Sequence, residues 1–261
     1  VSDMGQVETL VARVPETARR LMGRFWPGPL TLVMPKTRIV PDIVTAGNST
    51  VAVRMSSNPW AEELIRRARC PVAAPSANLF GRTSSTTADH VREQLEGCYD
   101  VLIDGGACRV GIESTVLSLA GPEPMILRHG GLAKEQIEEF TGPVGDMTLE
   151  NSQNGDSPGM MARHYAPVTL FTLEEDMEPF ADQADVGKLF FTGDASGFKG
   201  PFEVLSPAGD IPEAAVNLYR AIRRLDGLGL RRIVAGRVPD RGLGKAINDR
   251  LRRAAAGSGP H

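Results

Sequence analysis

Apolar residues recur along the chain with two periods, and their alternation outlines the fold. In residues 15–25, Ala18, Leu21, Met22 and Phe25 fall at i, i+3, i+4 and i+7, one face of a helix that opens at Pro15. Trp26-Pro-Gly-Pro29 ends that helix, and residues 30–34 read as a buried strand closed by Pro35. Residues 51–54 form the next strand, and Asn58-Pro59 is an N-cap with a first-turn proline that starts a helix to about residue 68. Residues 70–80 read as the centre of the arrangement. Pro71 and Pro75 bracket Val72, Ala73 and Ala74, small apolar residues that suit a short strand covered on both faces, with Ser76 and Asn78 directly beyond it. Thr86 with Asp89 is a capping-box pattern for a helix through residue 95, and residues 101–104 resume the sheet before Gly105-Gly106. Residues 111–119 and 125–128 form a strand pair turned at Gly121-Pro122, followed by a short helix over 132–140.

From 142 to 159 the composition shifts to Gly, Asn, Ser, Asp and Pro without periodicity, which predicts a linker or long loop. Beyond it, residues 168–173, 188–191, 202–205 and 233–236 read as strands of a second sheet, with helices over 211–225 and 244–255. The expectation is an α/β fold in two parts: residues 1–144 as an open-sheet domain, 145–167 as a linker, and 168–256 as a smaller α/β domain. Residues 257–261 are expected to be disordered.

Composition narrows the class. No apolar run approaches the roughly 20 residues that cross a bilayer, which predicts no membrane segment. Cys70, Cys98 and Cys108 are odd in number and lack CxxC spacing, which argues against a disulfide framework and a zinc site and fits a reducing, cytoplasmic setting. The net charge of −3 hides an asymmetry: residues 217–261 carry eleven Lys/Arg against three Asp/Glu, leaving −11 on the first 216 residues. That basic tail suits either a solvated helical face or weak RNA binding. Val1 opens into a polar stretch without an initiating Met, which suggests a chain truncated at its start.

No GxxxxGK[ST] loop, GxGxxG after a strand or HExxH occurs, so a P-loop, a dinucleotide fold and a zinc protease lose their sequence support. Polar groups instead gather at expected strand ends: Arg54, Ser76 with Asn78, Ser114 with Thr115, and Arg128. Guanidinium forks match phosphate oxygens, and hydroxyls both donate and accept, so this set suits a phosphate-bearing ligand. The plainer alternatives are a Ser/Asn turn and arginines that snorkel at strand ends. Arg163-His164-Tyr165 reads as a lid or a docking contact, whereas His90 and His129 read as structural.

Trp26-Pro-Gly-Pro-Leu-Thr31, Val51-Ala-Val-Arg54, Ala74-Pro-Ser-Ala-Asn78, Gly111-Ile-Glu-Ser-Thr-Val116, Ser157-Pro-Gly-Met160 and Arg163-His-Tyr-Ala-Pro167 occur in that order. Together with Asn217-Leu-Tyr219 and the stretch Gly242-Leu-Gly-Lys-Ala-Ile-Asn-Asp-Arg-Leu251, they resemble the long-form L-threonylcarbamoyladenylate synthases, the YrdC-like family with an added C-terminal domain. The resemblance implies a twisted open-sheet YrdC-like domain, here N-terminally truncated, and a smaller Rossmann-like domain. It implies a nucleotidyltransferase reaction in which ATP, L-threonine and bicarbonate give threonylcarbamoyl-AMP and pyrophosphate, for threonylcarbamoyladenosine in tRNA and the modification machinery downstream. It casts Arg54, Ser76, Asn78, Ser114 and Arg128 as ATP- and substrate-binding groups, and Arg163, His164 and Tyr165 as a covering loop. Mg2+ is expected with ATP, without a tightly bound cofactor or a protein metal site. The family's N-terminal segment, with its PTET-like turn and Lys-x-Arg pair, has no counterpart in this sequence, so the chain as given is expected to make little product. The alternative reading is a non-catalytic RNA- or nucleotide-binding module, motivated by the basic tail. A carbamoyltransferase of the hydrogenase-maturation type would carry acylphosphatase and zinc-finger regions, and this sequence has neither.

Overall fold

The structure, a computed structural model, describes residues 1–147, 164–193 and 195–258. In chain order the first elements are α1 (Met4–Leu10), α2 (Glu16–Phe25), β1 (Leu30–Pro35), β2 (Thr50–Val53), α3 (Pro59–Ala68), α4 (Ala88–Leu95), β3 (Thr115–Ser118), β4 (Met125–Arg128), α5 (Lys134–Thr141) and β5 (Gly145–Asp146). They are followed by β6 (Leu170–Leu173), β7 (Val186–Phe190), β8 (Phe202–Val204), α6 (Ile211–Asp226), β9 (Arg232–Ala235) and α7 (Gly244–Gly257). The chain divides into two compact units, Val1–Pro75 with Glu113–Met160, and Ser76–Ile112 with Met161–His261. It therefore passes from one unit to the other three times.

The first unit holds a mixed five-stranded sheet in the order β2-β1-β3-β4-β5. β1 runs parallel to β3 and antiparallel to β2, and β3 runs antiparallel to β4. Leu30 to Met34 of β1 are all buried, as a strand covered on both faces requires. Ala18, Leu21 and Met22 of α2 share one face and enter the same core as Leu32, Met34, Leu117 and Ile137. The Asn58 side chain accepts from the amides of Trp60 and Ala61, 3.0 and 3.1 Å away, so the predicted cap of α3 is formed. The sequence pattern gave no sign of α1, because only Val7 of that helix is buried and no apolar face develops.

The second unit holds a parallel four-stranded sheet in the order β6-β9-β7-β8. Helix α6 lays Ala214, Leu218, Ala221, Ile222 and Leu225 into its core, with Ile233 of β9 and Ile247 and Leu251 of α7. Lys188 is fully buried in β7. Its Nζ donates to the carbonyls of Gln183 (2.6 Å) and Lys199, and burial holds its pKa below the usual lysine value.

Several expectations are corrected. Residues 72–74 form no strand, and Val72 is 42% exposed. Pro71 and Pro75 remove ladder donors on both sides, and the sheet of the first unit is completed by other strands. Residues 101–104 are also irregular, with Val101 76% exposed; Asp104 instead accepts from the Gly106 amide at 2.9 Å, a turn that competes with pairing. Thr87 rather than Thr86 caps α4, accepting from His90 N at 3.3 Å. Thr86 donates its amide to His90 Nδ1 at 3.2 Å, in keeping with the structural role expected of that histidine. Residues 257 and 258, expected to be disordered, extend the fold: α7 runs to Gly257, and Ser258 Oγ accepts from Phe171 N at 2.8 Å while donating to Phe171 O at 3.1 Å. Both bonds lie on β6, at the edge of the sheet. Residues 259–261 lie outside the described residues.

This packing has two measurable consequences. Asn248 Oδ1 accepts from Val238 N at 3.1 Å, and its Nδ2 donates to Val238 O at 2.9 Å, so the amide satisfies both backbone groups of a buried residue. Asn248→Ala should destabilise the full chain by about 2–3 kcal/mol in urea unfolding; a change under about 0.5 kcal/mol contradicts that role. His90 has its pKa lowered by burial first and by Arg223 second, against the opposing pull of Glu93 and Asp89. Since its Nδ1 accepts a backbone amide, the fold prefers the neutral ring. As pH falls below about 6.5 the unfolded chain gains a proton the folded one resists, so this contribution to stability is present above that pH and is lost below it. His90→Gln should flatten the dependence of Tm on pH between about 7 and 5; an unchanged slope argues against it.

Candidate functional site

Sheet register sets the geometry of the site in the first unit. Leu32 pairs with Val53, Leu30 with Thr115, and Val116 with Arg128. Given these strand directions, the beginnings of β1 and β3 and the ends of β2 and β4 share one edge of the sheet. Thr31, Arg54, Ser114 and Arg128 all belong to that edge. Arg54 follows β2 directly and is exposed. Arg128 is the last residue of β4, two strands away from β1 in the sheet order.

Ser114 is the best-determined group there. Its carbonyl accepts from Arg128 Nη2 at 3.0 Å and from Nε at 3.3 Å, and Nη2 also lies 3.4 Å from the Ser114 hydroxyl. On the other side, Ser114 Oγ is 2.7 Å from Thr31 Oγ1. The backbone of this strand start is clamped as well. Thr115 Oγ1 donates to Leu132 O at 2.6 Å and accepts from Leu132 N at 3.0 Å, while Gly131 N donates to Glu113 O at 2.8 Å. Gly130 allows the close approach, since a Cβ on it would lie 2.3 Å from the Ser114 carbonyl carbon and 2.4 Å from its oxygen. His129, read as structural, pairs through Nε2 with Asp146 Oδ1 at 3.0 Å, and Lys134 holds the other carboxylate oxygen at 2.6 Å.

A guanidinium and two linked hydroxyls at one sheet edge suit recognition of an anionic, oxygen-rich ligand. Neither Thr31 nor Gly130 was singled out from the sequence as a site residue. Thr31 had a signal, as the last residue of the Trp-Pro-Gly-Pro-Leu-Thr motif, whereas Gly130 had only its place in a Gly-Gly pair.

The remaining expected residues belong to the second unit. Ser76 is exposed and irregular, not at the end of a strand. Asn78 donates to Leu79 O at 2.8 Å and Arg82 O at 3.2 Å, and its buried Oδ1 has no donor among the described residues. Tyr165 adopts φ 63°, and its ring is buried 5.6 Å from that of Tyr219, with the Arg250 guanidinium 5.4 Å from its centroid. The His164 ring stands edge-on to it at 4.1 Å. The structure thus places Tyr165, expected in a covering loop, in a packed core. Arg163 and most of the expected covering segment lie outside the described residues.

The basic tail is also accounted for in part. Arg223 donates to backbone carbonyls, Arg224 pairs with Glu203, Arg253 pairs with Asp249, and Arg250 is fully buried. Among the described residues no group of three or more His, Cys, Asp or Glu could hold a metal ion, and no helix is long and apolar enough to cross a membrane.

Residues 1–130 match the family model described as telomere recombination, and residues 132–256 match the one described as threonylcarbamoyl-AMP synthase, C-terminal domain. The threonylcarbamoyl-AMP synthase of Pyrococcus abyssi is 39% identical over 271 residues, covering 98% of this chain and 78% of its own length. That of Bacillus subtilis is 40% identical over 270 residues, with the same two shares. The crystal structure of P. abyssi Sua5 complexed with L-threonine matches with a TM-score of 0.90 and 37% identity, over 100% of this chain and 81% of that one. A variant of that protein with a histidine and a tyrosine replaced by alanine matches with a TM-score of 0.87 and 35% identity, over 100% and 80%. The α/β fold expected from the family resemblance is the one observed, and the chain belongs to the threonylcarbamoyl-AMP synthase family.

Proposed function

We propose that this chain is a threonylcarbamoyl-AMP synthase that uses ATP, L-threonine and bicarbonate and releases pyrophosphate. The observation that carries the reading is the Thr31–Ser114–Arg128 network at one sheet edge, in a chain whose curated relatives bear that name. A structural neighbour solved with L-threonine supports an amino-acid substrate. In the proposed sequence the threonine amine and CO2 from bicarbonate form a carbamate, whose oxygen attacks the α-phosphorus of ATP. A new P–O bond forms there as the bond to pyrophosphate breaks, and pyrophosphate leaves with the bonding electrons.

The protein's part is alignment and charge neutralisation. Arg54 and Arg128 are assigned to the negative charge of the triphosphate and carbamate, and Ser114, held by Thr31, to hydrogen bonding with them. Ser76 and Asn78 are assigned to substrate contacts by their family motif, and the buried acceptor on Asn78 is a group that a ligand donor would satisfy. Mg2+ would arrive on ATP, held by phosphate oxygens and water rather than by a protein cage. The product would pass to tRNA-modifying enzymes in the cytoplasm, where the exposed Cys70, Cys98 and Cys108 stay reduced.

Pyrophosphate release that depends on both threonine and bicarbonate tests the reading, and its absence both from this chain and from one carrying the family's N-terminal segment would overturn it. Arg128→Ala should lower kcat/KM about 10²-fold, with part recovered in Arg128→Lys; wild-type kinetics in Arg128→Ala would remove that residue from the mechanism. Gly130→Ala tests the support beneath it, because the added methyl meets the Ser114 backbone rather than a yielding side chain. It should destabilise the chain by about 2–4 kcal/mol in urea unfolding. Unaltered stability would show that Ser114 moves aside at little cost.

A further inference from the structure

Helix α6 is a C-terminal element, yet it grips the segment Ser76–Ile112 at two places within the second unit. At its N-terminal half, Gly111, with φ 78°, approaches so closely that a Cβ on it would lie 2.3 Å from Ala215 O and Val216 Cα. The adjoining Ile112 is buried in the same core as Ala215, Leu218 and Tyr219. At its C-terminal half, Arg223 Nε donates to Ser84 O at 3.2 Å and Nη2 donates to Thr83 O at 2.5 Å. Thr83 and Ser84 are buried residues outside any strand or helix, and Arg223 brings a donor to each of their carbonyls. A guanidinium fork reaches two successive carbonyls at once, which a lysine ammonium on a single stem does poorly.

The grip continues to Asn78. Gln94 Nε2 donates to Thr83 O at 3.4 Å, and Gln94 Oε1 accepts from Leu79 N at 2.9 Å. Arg82 N donates to Leu79 O at 3.1 Å, and Asn78 Nδ2 donates to Arg82 O at 3.2 Å. A short, continuous path of hydrogen bonds thus joins α6 to the turn that carries Asn78.

We propose that Arg223 is a positioning residue for this enzyme, fixing the Asn78 turn from the C-terminal domain so that the turn is preorganised for substrate. The proposal rests on the reading of the chain as a threonylcarbamoyl-AMP synthase in which Asn78 touches substrate. It gives the C-terminal domain a part in substrate affinity although Arg223 touches no reacting atom. A turn that must be ordered on binding lowers apparent affinity by the fraction of time it is out of place.

The test compares pyrophosphate-release kinetics of the full chain with Arg223→Met, Arg223→Lys and, as a control on the same helix, Asn217→Ala. Asn217 Nδ2 donates to Leu205 O at 2.7 Å, a partner outside the segment Ser76–Ile112. Arg223→Met should raise KM for ATP or threonine at least about fivefold, with kcat changed less than about twofold, and Arg223→Lys should fall between. In an Asn78→Ala background Arg223→Met should add nothing further. Equal KM shifts in Asn217→Ala, or full additivity with Asn78→Ala, overturn the proposal by showing a general loss of stability. Amide hydrogen exchange provides a readout independent of turnover: Arg223→Met should speed exchange at Leu79 and Arg82, and unchanged protection there also overturns the proposal. Absence of pyrophosphate release from the unsubstituted chain, with and without the family's N-terminal segment, would instead overturn the functional reading beneath it.

Discussion

A carbonyl that falls outside a strand or helix must still find a donor, and in this chain the donor is repeatedly a cation. Arg128 ends on the carbonyl of Ser114, Arg223 on those of Thr83 and Ser84, and Lys188 on those of Gln183 and Lys199. Charged donors make the stronger hydrogen bonds, and a buried acceptor left alone carries a penalty of about 1–3 kcal/mol. Irregular segments become fixed in this way without belonging to a sheet. The candidate site depends on this, since Ser114 is held by such a contact and the Asn78 turn is two hydrogen-bonding residues removed from another.

The same constraint revises the meaning of the charge asymmetry. A tail with eleven cations and three acids reads in sequence as a surface for a polyanion or for water. In the fold, Arg223 and Arg250 face inward, while Arg224 and Arg253 have carboxylate partners. Charge counted along a sequence cannot separate cations used inside a fold from those presented outside it.

What was legible follows from the range over which each signal acts. Helices α2, α3 and α6 were legible because their caps and apolar faces lie within a few residues. Arg54, Ser114 and Arg128 were legible as strand-end groups because short apolar runs mark the strands before or after them. Residues 72–74 and 101–104 carry the composition of strands, but a strand exists only where another pairs with it, and pairing is not written locally. Thr31 meets Ser114 across 83 residues, and Arg223 meets Ser84 across 139, so neither contact leaves a spacing to read. Tyr165 was legible as unusual, but its neighbours Tyr219 and Arg250 come from distant helices.

The three crossings of the chain between its units also bear on how the protein is made. Gly111 and Ile112 leave the ribosome about a hundred residues ahead of Ala215, the partner against which they close. At translation rates of about 5–20 residues per second, that interval lasts roughly 5–20 s. During it the segment Ser76–Ile112, whose Ile112 is buried against α6 in the fold, has no α6 to hold it. The second unit can close only after α6 has been made, and until then this stretch is a client for whatever shields apolar chain in the cell.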